Sequence, residues 1–319
     1  MNAPLPRRLA ALATIAALTL LPGCSLKRMA VRSVANSLTT GTNVFATDDD
    51  PELIHDALPF GLKTMESLLE TIPDHEGLLI ALCQGYTQYA YAFVQSEGDL
   101  LVNTDYARAT ALHERAYRLF LRARGFGLRA LARRHRGIAD SLALDPDRAA
   151  SRLDAKDIPA LYWTAASWGS AISLGKDKPE MLADLPAIRA LVNRGLALDE
   201  RYEAGAFHEA SIVLDALPAA MGGSPDAARH HFARAIEISH DTRPSPYVTL
   251  AQSVSVQSQD RAEFVRLLER ALTFDPDRDP NQRLATVVLQ RKAKALLEHQ
   301  DDFFLDDASP DTTTTQENR

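Results

Sequence analysis

Gly195-Leu196-Ala197-Leu198-Asp199-Glu200 is a six-residue phrase that the chain uses four times. The other copies are Ser141-Leu142-Ala143-Leu144-Asp145-Pro146, Ala235-Ile236-Glu237-Ile238-Ser239-His240 and Ala271-Leu272-Thr273-Phe274-Asp275-Pro276. Each runs through a small residue, an aliphatic, a variable residue, an apolar residue and then Asp or Ser, and two of the four end in Pro. That order is how a packed helix ends and turns, because proline cannot continue the helix before it.

The copies start 54, 40 and 36 residues apart. The last interval is close to the ~34-residue period of tetratricopeptide helical hairpins. Ala228, Phe232 and Ala235 precede or open one copy, and Phe264, Leu268 and Ala271 another, in the spacing of the second helix of such a hairpin. The Trp and Leu-Gly-Tyr signature of the first helix is mostly missing. The expected fold is therefore all-α, built of cryptic, irregularly spaced tetratricopeptide-like hairpins. Irregularity is expected most at Glu200 and His240, which stand where such a hairpin would usually have Pro.

Residues 1–23 read as a segment that is removed. Arg7 and Arg8 precede an apolar run from Leu9 to Leu21, too short for a permanent membrane span, and Leu21-Pro22-Gly23-Cys24 comes next. This is the pattern of a bacterial lipoprotein signal with Cys24 as the lipidated first residue. Ser25 stands where an Asp would retain a lipoprotein in the inner membrane, so the expected location is the periplasmic face of the outer membrane. Losing residues 1–23 moves the formal charge from −7 to −9. An acidic chain disfavours nucleic acid and anionic surfaces as general partners. Cys83 is then the one remaining thiol, inside the apolar run Leu78-Leu79-Ile80-Ala81-Leu82, and reads as buried and inert.

The main domain is expected over residues 24–307. Leu26, Met29, Val34 and Leu38 predict a helix from Ser25 to Phe45. Asp48-Asp49-Asp50-Pro51 reads as a helix cap with Pro at the first helical position, a metal site being the alternative. In the helix predicted from Gly77 to Gln95, Tyr86, Tyr89 and Phe93 share a face, as core or as pocket wall, and Tyr91 points elsewhere, where it could line a concave surface. Thr104 to Arg134 is a long helical segment with an expected interruption at Gly125-Phe126-Gly127. Its many arginines form either a solvated face or a patch that docks an acidic partner, for which Arg115, Arg118 and Arg122 are the candidates. Ile158 to Leu174 holds both tryptophans. Residues 308–319, with four consecutive threonines, are expected to be disordered.

No catalytic constellation is visible: there is no Gly-x-Ser-x-Gly elbow, no phosphate-cradling glycine loop and no His-Glu-x-x-His helix. His230 and His231 are adjacent, so on a helix they diverge by about 100° and cannot easily share one metal. No metal or cofactor is expected, and the protein reads as a non-enzyme.

From Leu161 onward the chain resembles a known family. The phrases are Leu161-Tyr162-Trp163 through Trp168-Gly169, Gly195 through His208, Gly222-Gly223-Ser224-Pro225, His231 through Ile236 and Asp301-Asp302-Phe303-Phe304. In that order they are similar to the T component of tetratricopeptide-associated TRAP transporters, which are periplasmic lipoproteins. The resemblance implies hairpins in a superhelical array around a pore or cleft. It also implies association with a periplasmic solute-binding P component, and a small organic ligand, hydrophobic or carboxylate-bearing. Symmetric homo-oligomers are compatible with such a role. No family motif fixes ligand residues; Tyr86, Tyr162, Trp163 and Trp168 are the candidates for a cavity lining, with core packing as their other reading. A scaffold lipoprotein for outer-membrane or cell-wall assembly is the rival function.

Overall fold

The computed structural model describes residues 23–40 and 44–305, and no strand occurs among them. The signal pattern at 1–22 and the tail at 308–319 lie outside the described residues, as does the side chain of Cys24. The α-helices are α1 (Gly23–Thr39), α2 (Pro51–Thr71), α3 (Glu76–Tyr89), α4 (Ser96–Leu101), α5 (Tyr106–Ala132), α6 (Ile138–Leu144), α7 (Pro146–Ser151) and α8 (Ile158–Leu174). They continue as α9 (Pro179–Leu182), α10 (Leu185–Asp199), α11 (Ala206–Asp215), α12 (Pro225–Ser239), α13 (Ser245–Leu250), α14 (Arg261–Leu272) and α15 (Arg283–Glu298). Two π-helical segments, Ala90–Gln95 after α3 and Ala251–Ser255 after α13, interrupt otherwise continuous rods.

Consecutive helices pack as hairpins: α2 on α3, α8 on α10, α11 on α12, and the α13 rod on α14, which then packs on α15. This succession is compatible with a tetratricopeptide-like array. Three of the four repeated phrases close the second helix of a hairpin, and the earliest closes the short α6. Where the phrase ends in Asp-Pro, the aspartate caps the next helical turn: Asp145 accepts from the Arg148 amide and Asp275 from the Asp277 amide. Where it does not, the chain turns through left-handed backbone instead. Glu203, Ala204, His240 and Asp241 all have positive φ, between 46° and 55°. Both copies without proline thus turn through left-handed backbone, which elsewhere among the described non-glycine residues occurs at Gln259, φ 56°.

Two expectations are corrected. The first helix ends at Thr39 and not near Phe45. The long arginine-rich helix is not interrupted at Gly125-Phe126-Gly127; α5 runs unbroken to Ala132. Gly127 is there for close approach, because a Cβ at this position would collide with Thr164 of α8 and meet the Cys83 sulfur of α3 at 2.9 Å. The glycine that reads as a breaker is the point where α3, α5 and α8 cross.

The apolar interior forms two clusters. The larger runs from Ala35 of α1 to Leu214 of α11, and the smaller from Ile212 of α11 to Leu296 of α15 and Phe304. They meet at α11. The chain then joins them a second time, because α15 reaches back to the beginning. Arg291 pairs with Glu52 of α2, the Leu284 amide donates to the Ala46 carbonyl at 3.1 Å, and Arg283 donates to the Thr47 carbonyl at 3.2 Å. Lys292 Nζ donates to the Tyr91 hydroxyl at 3.2 Å.

His240 is exposed, caps α12 at φ 53° and makes no side-chain hydrogen bond that replacement would lose. His240→Gly is expected to raise unfolding stability by about 1 kcal/mol, since glycine pays no left-handed penalty. Urea melts of the two proteins check this, and an unchanged midpoint would contradict the strain.

Candidate functional site

Two groups of partly buried side chains stand out, one around α11 and one on the closing helix α15. The first is aromatic. Tyr162 of α8 contacts Trp163, Tyr202 and Phe207 with ring centroids 5.0, 5.5 and 5.3 Å away. Such edge-on contacts hold rings in fixed relative positions. Phe207 is fully buried, whereas Tyr162, Trp163 and Tyr202 keep partial exposure. Beside them Glu209 of α11 accepts from the Ser245 hydroxyl at 2.9 Å. Burial pushes its carboxyl up to about 7, against the hydrogen bond from Ser245 and the charge of Arg243. Tyr162 is likewise pushed up, by burial and then by the charge of Glu209. Tyr162 and Glu209 keep partial exposure.

The second group is on the closing helix. Lys292 has only 8% of its side chain exposed, lies 4.4 Å from the centre of the Tyr91 ring and 3.8 Å from Asp99. Burial opposes its charge, but Tyr91 and Asp99 outweigh that and hold the ammonium above its ordinary value. Tyr91 occupies the π-helical segment Ala90–Gln95, two residues beyond Tyr89 and so on a different face from Tyr86 and Tyr89. Gln95 in the same segment has a buried side-chain oxygen with no donor among the described residues.

The remaining candidates are placed elsewhere. Tyr86 is buried, donates to Glu66 at 2.8 Å, stacks on Phe126 and lies under the Arg122 guanidinium. Glu66 also takes Lys63 and Arg122, so its carboxyl is lowered although burial alone would raise it. Glu66, Arg122 and Phe126, with Leu69, Glu70, Pro73 and Arg129, border a surface recess of about 210 Å³ whose lining includes neither Tyr86 nor either tryptophan. Trp168 is buried, donates its indole N–H to Asp184 at 2.9 Å and lies under Arg124. It is a satisfied core residue. Arg115, Arg118 and Arg122 line one exposed face of α5 at i, i+3 and i+7. Arg115 reaches the Tyr89 hydroxyl at 3.3 Å and Arg122 is held by Glu66 at 2.6 Å, while Arg118 has only a 4.0 Å approach to Glu114.

Three further features read from the sequence find their places in the fold. Asp50 caps α2, accepting from the Leu53 amide at 3.0 Å. Cys83 is fully buried, with its thiol pushed up to about 12 by burial. His231 pairs not with its neighbour but with His208 of α11, Nδ1 to Nδ1 at 2.8 Å. That pair sits between Glu200, held by Arg234, and Asp215, held by Arg189. Burial holds both imidazoles below their ordinary value.

A family model described as TRAP transporter T-component matches residues 47–304, which takes in both cores and the closing helix. The chain belongs to the TRAP transporter T-component family. A protein of Treponema pallidum (strain Nichols), itself described as uncharacterized, is 28% identical over 303 residues, covering 89% of this chain and 94% of its own length. As a T-component, the protein is an accessory subunit of TRAP-type transport and associates with such a transporter. The family is a transport accessory and not a known enzyme class. No helix among the described residues is long and apolar enough to cross a membrane.

Glu209 gives the site a pH signature. Its carboxyl titrates near 7 in the folded T-component and near 4.5 when unfolded, so the folded state binds the extra proton between these values and loses stability as pH rises through them. Glu209→Gln removes this term. The variant is expected to gain melting temperature relative to the parent as pH goes from 4.5 to above 7, with the difference flat beyond. Equal pH profiles for the two proteins would show that Glu209 titrates as an ordinary surface acid.

Proposed function

We propose that this T-component is a lipid-anchored periplasmic subunit that holds a small organic ligand in the space between its two cores and exchanges it with a solute-binding P component. The observation that supports a ligand site is the grouping of the partly exposed rings Tyr162, Trp163 and Tyr202 beside Glu209, with Lys292 held by Tyr91 and Asp99 on the closing helix. An aromatic wall with a few polar and charged groups is what small-molecule sites offer. Tyr162 and Trp163 supply the wall. Lys292, charged and close to Tyr91 and Asp99, supplies a point of attachment for a carboxylate on an otherwise apolar ligand.

In this reading Trp168 and Tyr86 support the site from the core, and the acid-binding face of α5 meets the P component through Arg115 and Arg118. Arg122 is already committed to Glu66 and contributes position more than charge. Cys24 carries the lipid, residues 1–23 are removed, and the anchor holds the 24–307 domain at the outer membrane. Several copies can share one membrane patch as a homo-oligomer.

The test is capture from the native envelope with the full chain as bait, followed by mass spectrometry of bound proteins and small molecules. The parent is expected to retain a solute-binding protein and an acidic apolar ligand. Arg115→Glu with Arg118→Glu should weaken protein capture about tenfold, because reversed rim charges act on association. Lys292→Met should release the ligand and leave protein capture unchanged. Capture of cell-wall or outer-membrane assembly proteins with no solute-binding protein would overturn the transport reading, and ligand retention by the Lys292→Met protein would move the ligand away from this space.

A further inference from the structure

His208 of α11 and His231 of α12 meet Nδ1 to Nδ1 at 2.8 Å, and among the described residues no other side-chain hydrogen bond joins these two helices. Only 8% of the His208 side chain and 21% of the His231 side chain are exposed. Burial favours neutral rings, and two neutral imidazoles carry two protons on four nitrogens. The contacts fix where those protons sit. One is in the Nδ1 to Nδ1 bond. The other is on His208 Nε2, which lies 3.4 Å from Glu200 and donates to it, so His208 Nδ1 is the acceptor and His231 Nδ1 the donor. His231 Nε2 is 3.6 Å from Asp215, too far for a hydrogen bond, and is the bare nitrogen of the pair.

The charges around the pair come from three helices. Arg234 of α12 holds Glu200 at the end of α10, and Arg189 of α10 donates to Asp215 of α11 at 2.9 Å. The His230 ring stands 6.0 Å from that of His231. Of the other titratable groups on elements packed here, Glu209 turns to Ser245, Tyr247 of α13 donates to Asp241 at 2.7 Å, and Tyr202 stands against Tyr162 and Phe207. No group of three metal-ligating side chains occurs among the described residues, and 2.8 Å is a hydrogen-bond length, so the contact holds a proton.

Further protons enter in a fixed order. The first goes to the bare Nε2 of His231, where it faces Asp215 and leaves the Nδ1 contact intact. The second has only His208 Nδ1 left. There it would set two N–H groups against each other at 2.8 Å, and the rings must part.

We propose that the His208–His231 contact is an acid-released latch, which keeps α12 on α11 at neutral pH and loosens this hairpin when both rings are protonated. Both apolar cores include residues of α11, so the loosening acts at their junction. The latch needs neither the ligand site nor the membrane anchor.

Burial holds both imidazoles below 6.5, so the unfolded chain takes up their protons first: the latch contributes in full above that value and is lost as pH falls. An opening that takes up one proton becomes about tenfold easier per pH unit. Glu209 acts with the opposite sign, and Glu200, held by Arg234 at about 2, stays ionised throughout.

Hydrogen exchange of the full chain, read by mass spectrometry on peptides from 206–239, follows the latch from about pH 7.5 to about 4.5 after correction for intrinsic rates. Protection is expected to fall by about tenfold per unit once the second proton enters, while α3 and α8 stay protected. His208→Asn puts near Nδ1 an oxygen acceptor that takes no proton. The variant should match the parent at neutral pH and keep its protection in acid, with the Glu209 contribution common to both. Nitrogen-15 imidazole spectra of the parent need no variant: they should show His208 protonated on Nε2, His231 on Nδ1, and two separate steps on acidification. Equal acid loss of protection in parent and His208→Asn, or two rings that titrate together as free imidazoles do, would overturn the latch.

Discussion

Docking of α15 on the first hairpin is the constraint that closes the array on itself. Without it the two apolar cores would be joined only at α11. The join is made of polar contacts, and most of them are exposed. The Arg291–Glu52 pair is of the kind worth no more than about 1 kcal/mol. Lys292 differs because it is enclosed: a buried ammonium without partners would be strongly unfavourable, so α15 is stable in this position only while Tyr91 and Asp99 are beneath it. Lys292 is therefore the most enclosed of the polar contacts that dock α15.

The array is regular where its sequence is regular. Asp-Pro copies of the phrase stop one helix and cap the next with the same aspartate. The copies ending in Glu200 and His240 lack that device, and the chain turns there through four non-glycine residues in left-handed backbone. Both turns flank α11 and α12, the hairpin between the two cores. The same hairpin carries Glu209 and the His208–His231 pair, so groups whose burial alters their titration are concentrated where the array is least regular.

Much of the fold is legible in the sequence because helix ends are local. Caps, prolines and small-residue spacing place nearly every helix, and both the all-α class and the family are carried by phrases that survive in order. The illegible part depends on contacts between distant segments. Gly127 reads as a breaker in a window of its own helix and shows its role only when Thr164 is beside it. Trp168 reads as a cavity candidate because an indole N–H needs a partner, and that partner is Asp184. Glu209 and Lys292 give no signal at all. Each sits among other charged residues on an amphipathic helix, and only the tertiary fold separates the enclosed charge from its exposed neighbours. Tyr91 is the intermediate case, since helical spacing alone sets it apart from Tyr86 and Tyr89.

Closure is tested most directly by a distance across it. Spin labels on cysteines replacing Asp56 of α2 and Lys294 of α15 occupy sites 83% and 72% exposed, and the buried Cys83, with its thiol near 12, does not compete for the label. A docked α15 predicts a single narrow distance distribution in solution, which broadens when Lys292 is replaced by Met. A broad distribution in the unaltered protein would mean that α15 is not held on the first hairpin, and the array would not be closed on itself.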